Sequence, residues 1–282
     1  MTADRPVLIE SAELAEQLAT DQRPVLADVR WTLGGPPGLA DYEAEHIPGA
    51  HWVDLEQHLS AAPGAGGRHP LPDLARFQTA MRAIGVRRDR PVVAYDAGSS
   101  LAAARLWWLL TDSGHDAVRV VNGGMAAWRT AGLATESGPS PVTVPGDFVA
   151  RPGQRAQLSA DDIAADLAGD WRLRLVDVRA PERYSGESEP IDPVAGHIPG
   201  AVNLPSMANL DGDGRFLDGS AIARRFTDAG VDTEAVLYCG SGVTAAHSLL
   251  ALESAGLTGA IYPGSWSGWI TDPRRPVATG SA

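Results

Sequence analysis

The two halves of this chain repeat one another, and that repeat limits the possible folds more than any other feature. Val25-Leu26-Ala27-Asp28-Val29-Arg30 answers to Arg174-Leu175-Val176-Asp177-Val178-Arg179. His46-Ile47-Pro48-Gly49-Ala50 recurs as His197-Ile198-Pro199-Gly200-Ala201, and Val92 to Asp96 parallels Ala235 to Cys239. Gly123 to Trp128 parallels Gly264 to Trp269. The offsets are 149, 151, 143 and 141, so order is kept and only loop lengths change. Four matches in register imply two copies of one domain within the 282 residues.

Each half alternates short apolar runs with helical stretches. Pro24 to Val29, Pro91 to Tyr95 and Val118 to Val121 fit buried parallel strands. Between them Ala12 to Ala19, Leu74 to Ile84 and Leu101 to Asp112 read as helices. Ala160 to Leu167, Ala221 to Ala229 and Thr244 to Ala255 repeat the pattern. The alternation predicts α/β domains with mostly parallel sheets flanked by helices. The stretch Glu136 to Gln157 carries Pro139, Pro141, Pro145 and Pro152 among Gly and Ser and reads as a linker. The expected organisation is a first domain over 1–138, a linker over 139–156 and a second domain over 157–282.

The net charge of −12 disfavours nucleic acid and anionic membrane surfaces as partners. An anionic substrate therefore needs a local cationic site. All 23 basic residues are Arg, which excludes lysine Schiff-base chemistry. No apolar run approaches the length of a membrane span. The start, with Asp4, Arg5 and Glu10, lacks the apolar core of a secretion signal, so the cytoplasm is the expected location. The seven His include no pair at i, i+4, and the one cysteine, Cys239, belongs to no multi-cysteine cluster. No metal or cofactor is expected.

A lone cysteine is most often a small buried hydrophobe. Cys239 stands in a different context. It ends the run Ala235 to Tyr238 and opens Gly240-Ser241-Gly242-Val243-Thr244, with a helix directly behind. Ligands of open α/β sheets bind outside the carboxyl ends of the strands, where this sulfur falls. Two glycines let successive backbone N–H groups turn into one hollow, and the helix adds the positive end of its dipole. Both favour negative charge on sulfur in an open pocket. A cysteine phosphatase would carry Arg six residues on; Ala245 stands there.

The run Cys239 to Ala245 resembles the active-site loop of 3-mercaptopyruvate sulfurtransferases, within the rhodanese family. The similarity extends to Arg105-Leu106-Trp107-Trp108 and both His-Ile-Pro-Gly-Ala turns. It implies two tandem rhodanese-like domains, only the second catalytic, with Asp96 where the inactive half would have its cysteine. Cys239 is then the sulfur carrier, and the amides of Gly240, Gly242, Val243 and Thr244 steady developing charge. Ser241 hydrogen-bonds the departing group, relays a proton, or is simply kept small for space.

Features private to the second half are the better candidates for chemistry. Arg183, whose counterpart at offset 149 is Gly34, matches the family residue that pairs with the donor's carboxylate. Arg179 has a twin in Arg30 and reads as mainly structural, with a substrate contact as the second possibility. His46 belongs to the repeated turn, although the family implicates the first-half histidine in proton relay. The eight Trp, Trp266 and Trp269 included, read as packing residues. Glu187 to Ala195 is acidic and lacks the further Arg of animal mercaptopyruvate enzymes, which leaves thiosulfate open as donor. The expected reaction takes sulfur from a small anionic donor through a Cys239 persulfide to cyanide or a thiol, a protein thiol included. A non-catalytic docking module is the rival from another class.

Overall fold

In the computed structural model, residues 6–21, 23–141, 144–231 and 235–280 are described. Residues 1–5 of the start and 142–143 of the expected linker lie outside them. The chain forms two compact units. The first comprises Met1–Ala61, Pro72–Arg155 and Asp211–Phe216; the second comprises Ala62–Leu71, Ala156–Leu210 and Leu217–Ala282. Each unit therefore takes one short segment from the other half of the sequence.

The first unit holds a five-stranded, wholly parallel sheet. Its strands are β1 (Leu8–Ile9), β2 (Val25–Asp28), β3 (Ala50–Trp52), β4 (Val92–Tyr95) and β5 (Val118–Val121), in the order β1-β5-β4-β2-β3. The second unit holds β6 (Arg174–Asp177), β7 (Val202–Asn203), β8 (Ala235–Tyr238) and β9 (Gly259–Ile261), in the order β7-β6-β8-β9, again parallel. Val25 pairs with Val92 as Arg174 pairs with Ala235, so the repeat is kept at the level of register. A parallel bridge from Gln157 to Ile261 stands where Leu8 pairs with Val120 in the first unit.

β2, β4 and β8 are buried at every residue, as strands covered on both faces must be. The helices begin where their caps dictate. The Asp73 side chain accepts from the Arg76 N–H and starts Leu74–Ala83; Asp218 accepts from the Ala221 N–H and starts Gly219–Asp228. The second of these begins two residues before the expected helix because its cap is an aspartate rather than an apolar boundary.

Several buried polar devices occur in both units. The Tyr95 hydroxyl accepts from the Ile47 N–H at 3.1 Å, and the Tyr238 hydroxyl accepts from the Ile198 N–H at 3.1 Å. Arg30 pairs with Asp28 and donates to the Glu45 carbonyl at 2.5 Å; Arg179 pairs with Asp177 and donates to the Gly196 carbonyl at 2.6 Å. These pairs tie the carboxyl end of a central strand to the turn beside it. Trp128 and Trp269 are buried and each donates its indole N–H to a carbonyl, of Ala134 and of Pro276, at 2.9 Å.

Candidate active site

The second unit brings Cys239 to the carboxyl end of β8, at the amino end of the helix Val243–Ser254. Gly242 adopts φ +82°, a left-handed conformation that glycine enters without strain. This turn aims the Gly242 N–H at the Cys239 sulfur, 3.1 Å away. The Ser265 hydroxyl lies 3.9 Å from the same sulfur and accepts from the Cys239 N–H at 3.0 Å. The expected open pocket is not what surrounds this residue: Cys239 is only 2% exposed. Its immediate neighbours are nevertheless polar. An amide N–H, a hydroxyl and a helix terminus can all carry negative charge on sulfur. The cavity of about 580 Å³ lined by Trp171, Arg174 and Gly200 lies elsewhere, at the amino end of β6.

Ser241 points to a partner absent from the sequence reading. Its hydroxyl shares a 2.7 Å hydrogen bond with Nδ1 of His69, and both residues are buried. His69 comes from the first half of the sequence but belongs to the second unit, on the segment Ala62–Leu71. Arg68 accompanies it.

Two guanidinium groups lie over Gly240. A side chain there would stand 2.6 Å from Arg68 Nη2 and 3.4 Å from Arg183 Nη1, so only glycine leaves both in place. Two acids hold these arginines. Asp192 accepts from Arg68 Nε at 2.9 Å and from Arg183 Nη2 at 2.9 Å. Glu189 accepts from Arg183 Nε at 3.0 Å and from Arg179 Nη1 at 3.2 Å. Burial pushes the Glu189 carboxyl up, but the Arg183 hydrogen bond and the Asp192 and Ile191 amides outweigh it, so the group titrates below the ordinary range. Arg68 Nη1 is buried and has no hydrogen-bond partner among the described residues. A buried charged donor without an acceptor is costly, and an anion would remove that cost.

Arg179 is fully engaged. Asp177, the Gly196 carbonyl and Glu189 take its N–H groups, and its guanidinium stacks 4.8 Å from the Trp266 ring centre. It supports Glu189 and does not present a free edge to a ligand. His46 is a member of the first unit. Its ring stacks on Tyr42, its Nδ1 meets the Tyr42 carbonyl at 2.7 Å and its Nε2 meets Glu136 at 3.2 Å. His197 repeats the arrangement against Tyr184, which identifies the pattern as a device of the turn. Within the second unit the structure thus brings together Cys239, Gly240, Ser241, Gly242, Val243, Thr244 and Arg183. The residues missed in the sequence are Arg68, His69, Glu189, Asp192 and Ser265.

The corresponding loop of the first unit has Asp96 where the second has Cys239. The Asp96 carboxylate fills its own cradle, accepting from the N–H groups of Gly98, Ser100 and Ala102 at 2.9 to 3.0 Å. Among the described residues, no His, Cys, Asp and Glu side chains gather as a metal site, and no helix is long and apolar enough to cross a membrane.

The rhodanese-like domain pattern matches residues 11–131 and 159–272. A Pseudomonas aeruginosa protein named "Probable 3-mercaptopyruvate sulfurtransferase" is 49% identical over 97% of this chain and 98% of its own length. A Mycobacterium tuberculosis protein, provisionally named a thiosulfate sulfurtransferase, is 45% identical over the whole of both chains. The structure of 3-mercaptopyruvate sulfurtransferase from Leishmania major superposes with a TM-score of 0.83 at 31% identity, covering 96% of this chain and 75% of that one. With two matched domains, a cysteine in the loop of the second and an aspartate in that of the first, this chain belongs to the rhodanese family.

Proposed function

We propose that this protein is a sulfurtransferase that carries sulfur from 3-mercaptopyruvate through a persulfide on Cys239 to a thiol or cyanide. The observation that carries the reading is the Cys239 sulfur receiving the Gly242 N–H at 3.1 Å, in a loop whose Ser241 is paired with His69. In the first half-reaction the thiolate attacks the donor sulfur. A sulfur–sulfur bond forms as the carbon–sulfur bond breaks, and its electron pair leaves with the enolate of pyruvate. Ser241 and His69 relay the proton that converts the enolate to pyruvate. Arg183 and Arg68 hold the donor's carboxylate, with Arg68 Nη1 the donor left free for it. In the second half-reaction an acceptor thiolate or cyanide attacks the outer sulfur and releases the Cys239 thiolate. No second cysteine exists to resolve the persulfide internally, so the acceptor comes from outside and the kinetics are ping-pong.

Thiosulfate as preferred donor is the second reading, favoured by the name of the Mycobacterium tuberculosis relative. Two arginines held for a planar carboxylate argue for the first. The thiol acceptor is a small thiol or a protein thiol, and the cytoplasm is the proposed location. Mass spectrometry of the intact protein after incubation with 3-mercaptopyruvate tests the core claim. We expect a gain of one sulfur atom, absent in Cys239→Ser. A Cys239→Ser protein that still transfers sulfur refutes the assignment.

A further inference from the structure

We infer that Ser267 is a positioning residue for sulfur transfer: it fastens the segment carrying Arg68 and His69 to the loop carrying Cys239. The inference rests on the catalytic reading above and extends it to a residue that touches no reacting atom.

Ser267 is buried and makes two connections in opposite directions. Its backbone N–H donates to the Gly240 carbonyl at 2.9 Å, beside the nucleophile. Its hydroxyl accepts the Arg68 N–H at 3.0 Å. One residue therefore spans from the cysteine loop to the backbone immediately before His69. Around it the Thr271 hydroxyl donates to the Ala65 carbonyl at 3.3 Å, Asp192 accepts from Arg68 Nε at 2.9 Å, and the remaining contacts are close main-chain packing. Gly64 and Gly67 close a tight turn through reciprocal hydrogen bonds of 3.0 and 2.9 Å. Gly67, at φ +100°, comes so close that a side chain there would stand 2.7 Å from the Ser267 hydroxyl and 2.8 Å from the Gly264 carbonyl. The segment is thus seated by shape and by several side-chain hydrogen bonds, and Ser267 supplies the one made to the main chain immediately before His69.

The repeat provides a control. At offset 141 the twin of Ser267 is Ala126, whose N–H donates to the Ala97 carbonyl at 3.0 Å as the Ser267 N–H does to Gly240. The turn accordingly folds without a hydroxyl. The hydroxyl occurs in the unit that has a histidine to place, where the 2.7 Å bond to Ser241 requires His69 held to a fraction of an ångström. Misplacement by about 1 Å is enough to lower a rate by about 10²-fold.

The test compares Ser267→Ala, Ser267→Thr, His69→Ala and the double variant Ser267→Ala/His69→Ala in steady-state turnover of 3-mercaptopyruvate. We expect Ser267→Ala to lose about tenfold or more in kcat/KM while keeping the circular dichroism of the wild type, and Ser267→Thr to restore most of it. In the His69→Ala background the serine change should cost clearly less than in the wild type, because most of its effect runs through that histidine and only the remainder through Arg68. Wild-type turnover by Ser267→Ala, or losses that multiply in the double variant, overturns the inference while leaving the role of His69 standing. Wild-type turnover by His69→Ala removes that role and this inference together.

Discussion

Replacing Arg183 with lysine keeps the positive charge and removes the fork, which makes it the sharpest probe of donor recognition. In the structure the Nε and Nη2 edge of Arg183 is given to Glu189 and Asp192, leaving Nη1 over Gly240. A lysine ammonium can pair with one of the acids but cannot also present an N–H edge fixed in that direction. A charge-assisted hydrogen bond to the donor carboxylate is then lost, at about 1.5–3 kcal/mol. That converts to about 10- to 150-fold in kcat/KM for 3-mercaptopyruvate. Thiosulfate has no planar carboxylate and should lose about tenfold less. The assay follows pyruvate release from one donor and sulfite release from the other, with Tm as a check on folding. Equal losses on both donors would show that Arg183 contributes charge alone, and the carboxylate assignment would fall.

Glu189→Gln should destabilise the protein by about 3 kcal/mol at pH 7, because the carboxylate is 3% exposed and holds two arginines. Its folded-state pKa is depressed, so its contribution is full above the unfolded value of about 4.3 and disappears as pH falls through the folded one. Denaturant unfolding of both proteins from pH 7 to pH 3 should show the gap closing only below about pH 4; a gap independent of pH contradicts the ion-pair account. In the first unit, Asp96→Ala strips the acceptor from the amides of Gly98, Ser100 and Ala102 and should cost about 3 kcal/mol or more. Its sulfur-transfer rate per folded molecule should match the wild type, and a rate loss at unchanged Tm would mean that the first unit takes part in chemistry.

The architecture was legible because the repeat aligns strands with strands, and buried strands in parallel sheets are apolar throughout. Cys239 and its glycines were legible for a local reason: a strand end, a tight turn and a helix start lie within six residues. Arg183 could be found because its twin is Gly34. The same comparison hid His69. Screening for features private to the second half discards a residue from the first, yet Gly67-Arg68-His69 aligns with Gly214-Arg215-Phe216, and a histidine facing a phenylalanine was the available signal. Neither half of the sequence builds its unit alone, since Ala62–Leu71 and Asp211–Phe216 are exchanged. The acidic run around Glu189 misled for another reason. Acids near an anion site look unfavourable when only charge is counted, but here they fix the direction of two guanidinium groups.

The exchange also explains why the units differ in chemistry while sharing a backbone. Both have a loop after the central strand, and both have main-chain amides turned into it. Those amides cannot be what separates the active loop from the inactive one. In the first unit a carboxylate occupies the cradle, Phe216 stands at the histidine's position, and Arg215 pairs with Glu10 at 2.5 Å. In the second unit a thiol occupies it, His69 meets Ser241, and Arg68 keeps one N–H donor without a partner. A cradle filled by its own anion is a stable structural element; one with a sulfur and an unpartnered guanidinium N–H beside it is poised for a ligand. The asymmetry therefore resides in a few side chains, several of them delivered by the exchanged segments. Restoring a cysteine alone, as in Asp96→Cys, would not create a second active site.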